Sequence, residues 1–454
     1  MASSQTEKTG FGSKLGFVLA AAGSAVGLGN IWRFPYLAAK YGGGLFLLIY
    51  IILAVTFGFA LMLTEIAIGR RTGKSVIGAY TAIDKRFSPL GWLASLVPFI
   101  ITPYYCVIGG WVLKYLFAFC ANQNSEAAGD TFFGQFIGHS AQPTVFFLIF
   151  LLATAVVVML GVEKGIERIS KFMMPVLVLL TVGIAVYTLT LDGAAKGLRY
   201  YLLPNFDGFT FKMLLKTIAA AMGQLFYSMS IAMGIMVTYG SYMRKQDSLE
   251  ASVRQIEIFD TGIAILAGLI IVPAVFVFSG GNADALQTGP SLMFVTLPKV
   301  FDSMAGGRIV GIVFFVLVAL AAMTSSISLM ETVVSIIMEK FHLKRIPACL
   351  ITVGFCIALG MLSVLGYSAW SGVEILGKQF LDLFDFLSNN IMMPIVSLLT
   401  CILIGWVVKP KYIEEEVLVS EKKFSGRRLL YVMIRYVCPV CMIIILVTPF
   451  VTDI

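Results

Sequence analysis

Eleven apolar stretches follow one another along the sequence with only loop-sized polar segments between them. They cover approximately residues 15–39, 44–68, 91–120, 144–160, 172–190, 213–242, 259–281, 308–338, 346–366, 374–407 and 429–450. A helix needs roughly 20 apolar residues to cross the hydrocarbon core of a bilayer. The pattern therefore predicts an all-α integral membrane protein with 11 transmembrane helices. The longest polar stretches, 121–143, 191–212 and 408–428, leave no room for a soluble domain, so one polytopic domain over 1–454 is expected. A mean hydropathy of +0.92 with only 13% charged side chains is far from the composition of soluble domains.

The net charge of +8 does not point to nucleic acid. With the N-terminus cytoplasmic, 22 of the 33 lysines and arginines fall in segments on the inner side, as the positive-inside rule requires. Eleven crossings then leave the C-terminus extracellular, and a multi-pass protein of the plasma (bacterial inner) membrane is expected. Only two histidines exist, both in loops, so a histidine-rich metal centre is not expected. No nucleophile–base–oxyanion constellation stands out, and an enzyme is not expected.

Two spans contradict their own apolar character. The first carries AVGLGNIWRFPY, residues 25–36, with Gly23, Gly27 and Gly29 at its centre and Asn30 and Arg33 one turn beyond. Irregular backbone at membrane depth persists only where protein or a polar cavity receives the freed groups. The sixth carries GQLFYSMSIAMG, residues 223–234, with Gln224, Tyr227, Ser228 and Ser230 between glycines. Five spans separate the two. Two five-helix halves, each opening with an interrupted helix, match an inverted-repeat transporter, in which half-helix ends supply amides to an anion and carbonyls to a cation. A pair of packing kinks is the alternative on spacing alone. In span eight, Ala321, Thr324 and Ser325 share a helix face and form a set of hard neutral oxygens suited to an alkali cation. Read alone, the two hydroxyls equally fit back-bonding to the i−4 carbonyl. Glu65, Asp260, Glu331, Asp382 and Asp385 are intramembrane acids, and each marks a candidate functional position.

GSAVGLGNIWRFPY, GGGLFLLIY, TEIAIGR, the Tyr104–Tyr105 pair, GQLFYSMSIAMG followed by TYGSY, and TSSISLM resemble, in order and spacing, the neurotransmitter:sodium symporter family. Among its members the chain looks most similar to bacterial hydrophobic amino-acid transporters. The resemblance implies the LeuT fold, a 5+5 inverted repeat with helices 1 and 6 unwound. The first repeat would be 15–190, the second 213–407, and the eleventh helix 429–450. It implies a sodium-coupled symporter that imports hydrophobic L-amino acids, aromatic or branched aliphatic, by alternating access. A proton-coupled or small-neutral-amino-acid carrier and a non-transporting amino-acid sensor are the alternatives. The partners expected are a small-molecule L-amino acid and the lipid bilayer, with neither nucleic acid nor an obligatory protein partner.

Carried over residue by residue, the resemblance implies two sodium sites. The first would use Ala25, Asn30, Ser228 and Asp260 together with the substrate carboxylate. The second would use Gly23, Val26, Ala321, Thr324 and Ser325. The substrate carboxylate would meet the amides of Leu28 and Gly29 and the Tyr105 hydroxyl, and the ammonium would face carbonyls of Ala25, Tyr227 and Ser228. The side-chain pocket would comprise Ile101, Tyr105, Tyr227, Ser230, Met233, Ser325 and Leu329. Gly27 stands where amine carriers of the family have an aspartate. Asp260 stands where many members have asparagine, so its carboxylate would balance the first sodium and chloride would not be required. Arg33, Asp385 and Gln224 would form the outer gate. Lys8 and Glu339 would form the inner one, with Phe11 near the position of the relatives' tryptophan.

Overall fold

A computed structural model describes residues 10–206, 210–279 and 290–451. Nine helices among them are long and apolar enough to cross a membrane: Gly44–Thr72, Lys85–Cys120, Ala141–Met159, Val162–Leu189, Leu249–Phe278, Gly307–Phe341, Arg345–Gly366, Phe380–Val407 and Arg427–Phe450. A tenth crossing is a bent pair, α1 (Lys14–Ala25) and α2 (Gly29–Lys40), inclined to one another by 54°. The expected count of eleven is therefore not reached by length and hydropathy among the described residues. The exception is 213–242, which is two short helices, α3 (Phe211–Ser228) and α4 (Ile235–Tyr242), separated by residues 229–234. Lys212 and Lys216 lower the apolarity of α3, and the intervening segment is not helical at all.

The two interruptions have different causes. Ser13 caps α1 through the Gly16 amide at 3.0 Å. The helix stops at Ala25 because Val26 turns to an extended ψ of 98°, and winding resumes as a π turn over Gly29–Arg33. In span six the chain alternates into the left-handed region at Ser230 (φ 53°), Ala232 (φ 62°) and Gly234 (φ 72°). For the two non-glycine residues that conformation costs roughly 1–3 kcal/mol each and needs support from the surroundings. Glu65 provides some of it, accepting the Ala232 amide at 2.7 Å, and Ser230 donates its hydroxyl to the Ser24 carbonyl at 3.0 Å. The two broken spans thus brace each other across their breaks.

Close backbone crossings hold the lower half of span six in place. A Cβ on Gly69 would stand 1.9 Å from the Val237 carbonyl oxygen, and one on Gly240 would stand 2.3 Å from that of Ile66. α4 therefore lies directly against the helix Gly44–Thr72 with no side chain between them, the small-residue packing that brings membrane helices into contact. The long helix Gly307–Phe341 packs against both Lys85–Cys120 and α1, which carries Thr324 and Ser325 to the break in span one.

Candidate functional site

All eleven residues expected around the substrate come together. Ala25, Leu28, Gly29, Ile101, Tyr105, Tyr227, Ser228, Ser230, Met233, Ser325 and Leu329 line one cavity between the two breaks, joined by Ser24, Gly27, Asn30 and Ile235. Its volume is about 30 Å³. One end is polar main chain: the Leu28 amide donates to the Tyr105 hydroxyl at 3.5 Å. Ile101, Met233, Ile235 and Leu329 add apolar side chains to the same lining. At Gly27 a Cβ would stand 2.7 Å from Ser325 Oγ and 3.2 Å from the Tyr105 oxygen, so a side chain there would push Ser325 aside.

Asp260 is fully buried and collects donors from three other elements. Asn30 Nδ2 donates at 2.8 Å and Ser228 Oγ at 2.7 Å to one carboxylate oxygen, and the Tyr50 hydroxyl donates at 3.4 Å to the other. Asn30 also donates to the Asp260 carbonyl at 3.2 Å and accepts the Gly27 amide at 3.0 Å. Asn30, Ser228 and Asp260 are thus in direct contact, and Ala25 lines the adjoining cavity with Asn30 and Ser228. Tyr50 was not anticipated. A tyrosine in an apolar span carries no signal of its hydroxyl's partner.

The second candidate set divides between the two readings of span eight. Thr324 Oγ1 bonds back along its own helix, to Leu320 at 3.1 Å and Ala321 at 3.0 Å. Ser325 leaves its helix. Its hydroxyl donates to the Ser24 carbonyl at 3.1 Å and lies 3.5 Å from the carbonyls of Gly23 and Val26. The Ser325 hydroxyl thus stands beside the carbonyls of Gly23 and Val26, while the Thr324 hydroxyl, one residue before it, stays on the carbonyls of its own helix, Ala321 among them. Among the described residues no cluster of three or more His, Cys, Asp or Glu side chains exists that could hold a transition metal. Oxygen donors of this kind suit a hard alkali cation. Ser24 ties this set to the other break: it accepts from Ser325 and Ser230 through its carbonyl, and its hydroxyl bonds those of Ser230 at 3.3 Å and Ser328 at 2.7 Å.

The ends of the pathway differ. A vestibule of about 470 Å³, lined in part by Arg33, Tyr227, Lys216, Asn389 and Met393, meets the inner cavity at Tyr227, whose ring lines both. The expected Arg33–Asp385 pair is not formed. Arg33 instead lies over the Tyr227 ring, 5.4 Å from its centre, and Asp385 accepts from Asn389 at 2.6 Å and Tyr104 at 3.2 Å. Both donors meet the same Asp385 oxygen, one from its own helix and one from the span Lys85–Cys120. Gln224 donates to the Gly29 carbonyl at 3.0 Å, and its own carbonyl oxygen is buried without a partner. No described residue hydrogen-bonds the Tyr227 hydroxyl.

At the N-terminal end the chain is strapped shut. Gly12 N and Ser13 Oγ each donate to Glu167 at 2.7 Å, Lys171 pairs with Glu167 at 2.6 Å, and Arg244 donates to the Gly12 carbonyl at 2.8 Å. Phe11 is buried edge-on among Phe17, Tyr239 and Tyr242. Glu339 accepts the Ser75 amide at 2.6 Å, and Lys8 lies outside the described residues. Glu331 is not a lone acid. Arg345 grips it through two nitrogens at 2.7 and 2.9 Å, and Tyr242 donates to it at 2.8 Å.

Against known proteins, the profile of the Sodium:neurotransmitter symporter family matches residues 8–128 and 131–453. The sodium-dependent transporter YhdH of Bacillus subtilis is 34% identical over 97% of this chain and 98% of its own length. A sodium-dependent transporter of Methanocaldococcus jannaschii is 32% identical over 91% of this chain and 85% of its own. The crystal structure of MhsT in complex with L-phenylalanine is 35% identical with a TM-score of 0.86, covering 97% of this chain and 99% of that one.

Proposed function

We propose a cargo and a coupling scheme for this chain, which belongs to the sodium:neurotransmitter symporter family and is a multi-pass, sodium-dependent transporter with the LeuT fold, not an enzyme. The cargo is a hydrophobic L-amino acid, aromatic or branched aliphatic, imported with sodium by alternating access. The observation that carries this reading is the inner cavity, whose lining joins main-chain amides and Tyr105 with the apolar side chains of Ile101, Met233, Ile235 and Leu329. Gly27 brings no side-chain carboxylate to meet a free amine, which favours a substrate that carries its own. The Leu28 and Gly29 amides and Tyr105 receive that carboxylate, and the carbonyls of Ala25, Tyr227 and Ser228 face the ammonium. The relative solved with L-phenylalanine supports an apolar side chain in the remaining space.

Two sodium ions complete the site. The first is held by Ala25, Asn30, Ser228 and Asp260 beside the substrate carboxylate, and the second by Gly23, Val26, Ala321, Thr324 and Ser325. At about 4 Å and an effective dielectric of 20, opposite unit charges attract by roughly 4 kcal/mol. Losing the ion therefore weakens substrate binding, and losing the substrate weakens ion binding. Asn30 Nδ2 now points at Asp260, and turning its oxygen to a cation releases the Gly27 amide at the substrate pole. Ion arrival and preparation of the binding pocket are in this way one movement. The Asp260 carboxylate supplies the counter-charge at the first ion, so chloride is not required. The strap at the N-terminal end lies in the cytoplasm, the vestibule opens outside, and the protein sits in a bacterial inner membrane.

A carrier for small neutral amino acids is the second reading, favoured by the small size of the cavity, about 30 Å³. Met233 distinguishes the two, because an unbranched side chain can swing aside for a larger ligand. Flux of labelled phenylalanine, leucine and alanine into sealed vesicles under an inward sodium gradient tests both. Sodium-driven uptake of the two large substrates supports the first reading. Uptake of alanine alone selects the second, and no uptake of any removes both.

A further inference from the structure

Beside the vestibule lies a larger groove of about 870 Å³ whose lining is strongly basic. Lys40 at the end of α2, Lys196 and Arg199 on the short helix α5 (Ala194–Leu202), and Lys216 on α3 all face it, and no carboxylate among the described residues does. None of the four forms an ion pair with a described residue. Lys216 and Tyr41 are shared with the vestibule, where Lys212 adds a fifth cation. Most lysines and arginines of this chain fall in segments expected on the opposite side, so four at one groove here run against the general bias.

The groove is not simply a hydrated basic patch, because large apolar side chains stand exposed around it. Leu203 and Met213 in its lining are 55% and 48% exposed, and Phe206 and Phe211, one and two residues along the chain from lining residues Asn205 and Met213, are 63% and 74% exposed. α5 is amphipathic: Ala194, Gly197 and Tyr201 face inward while Lys196 and Arg199 face out. It lies where the chain leaves one span and enters the next, and a connection just beyond the roughly 30 Å apolar core of a bilayer meets the headgroups. Clustered cations over exposed aromatic and aliphatic residues at that depth match a ligand with an anionic head and an apolar body.

We propose that this groove is a binding site for the phosphate headgroup of an anionic phospholipid from the leaflet at the vestibule end, with Lys196, Arg199, Lys40 and Lys216 around the phosphate and Leu203 and Met213 against the acyl chains. The site joins three elements distant in sequence, α2, α5 and α3, of which α2 and α3 are the outer halves of the two broken spans. A bound headgroup therefore ties those halves to α5. None of these side chains touches the substrate cavity.

The test is retention of phosphatidylglycerol after detergent washing, read by native mass spectrometry on the full chain, for wild type and for Lys196→Gln/Arg199→Gln. Each cation near a membrane surface contributes about a fivefold change in affinity for an anionic lipid, so the double variant is expected to retain the lipid about 25-fold less tightly. Lys196→Arg/Arg199→Lys is expected to retain it as wild type does, and labelled substrate binding by the double variant in phosphatidylcholine shows that it is folded. Inorganic phosphate at millimolar concentration is the second arm. If it displaces phosphatidylglycerol completely, the apolar contacts contribute nothing and the occupant is a free anion, which overturns the lipid assignment. Equal retention by wild type and the double variant overturns the site.

Discussion

Gly27→Ala is the smallest change that reaches both the substrate cavity and the second cation set. The added methyl would stand 2.7 Å from Ser325 Oγ and 3.2 Å from the Tyr105 oxygen. Carbon–oxygen contacts normally begin near 3.3 Å, so Ser325 Oγ must retreat by roughly half an ångström or more. That hydroxyl is the atom that bonds the Ser24 carbonyl at 3.1 Å and stands 3.5 Å from those of Gly23 and Val26. Overpacking of this size costs about 1–3 kcal/mol. Where the cost falls on the bound state, the half-saturating sodium concentration for labelled phenylalanine binding rises about 5- to 150-fold. Gly354→Ala is the control, because nothing lies within 4 Å of its Cβ position. Thermal melting of both variants in detergent separates a binding effect from general loss of stability. If Gly27→Ala binds substrate with wild-type sodium dependence, the break in span one does not form the floor of the site and the reasoning fails.

Tyr227→Phe is expected to leave phenylalanine affinity within about twofold of wild type, since no described residue bonds the hydroxyl, whereas Tyr227→Ala removes the ring between vestibule and cavity and speeds release of label about fivefold. Uptake in chloride-free gluconate medium should match uptake in chloride. In Asp260→Asn the half-saturating sodium concentration should rise by up to about a thousandfold, and chloride should then stimulate what transport remains. Arg345→Met leaves Glu331 buried without its cation, a loss of about 3–5 kcal/mol that a melting curve will register, and adding Glu331→Gln should recover part of it.

Much of this site is legible in the sequence because membrane helices cannot conceal their irregularities. Gly27, Gly29, Asn30 and Arg33 have no reason to stand in mid-span unless the backbone opens there, and it does. The same holds for Ser230 and Gly234, although the left-handed turn at Ala232 has no residue-level signal. Pairings that depend on how distant elements meet are not legible. Ser24 links the two breaks and the serines of span eight, yet a single small hydroxyl in an apolar run has no periodicity to reveal it. Arg345 reads as the start of a span, and only the fold-back after Phe341 brings it to Glu331. The outer ion pair inferred from resemblance is absent: Asp385 is held instead by Asn389, one turn on in its own helix, and by Tyr104 from a span 281 residues away, a meeting that no linear pattern reveals. The basic groove is assembled from residues 40, 196, 199 and 216, which no linear pattern connects.

The account rests on substrate and sodium occupying one electrostatic unit at the paired breaks. Equilibrium binding of tritiated phenylalanine to the purified protein, titrated with sodium at constant ionic strength, measures that directly. Saturable binding should need sodium, and phenylalanine should lower the half-saturating sodium concentration by the same factor by which sodium raises phenylalanine affinity. Equal binding when choline replaces sodium would contradict it.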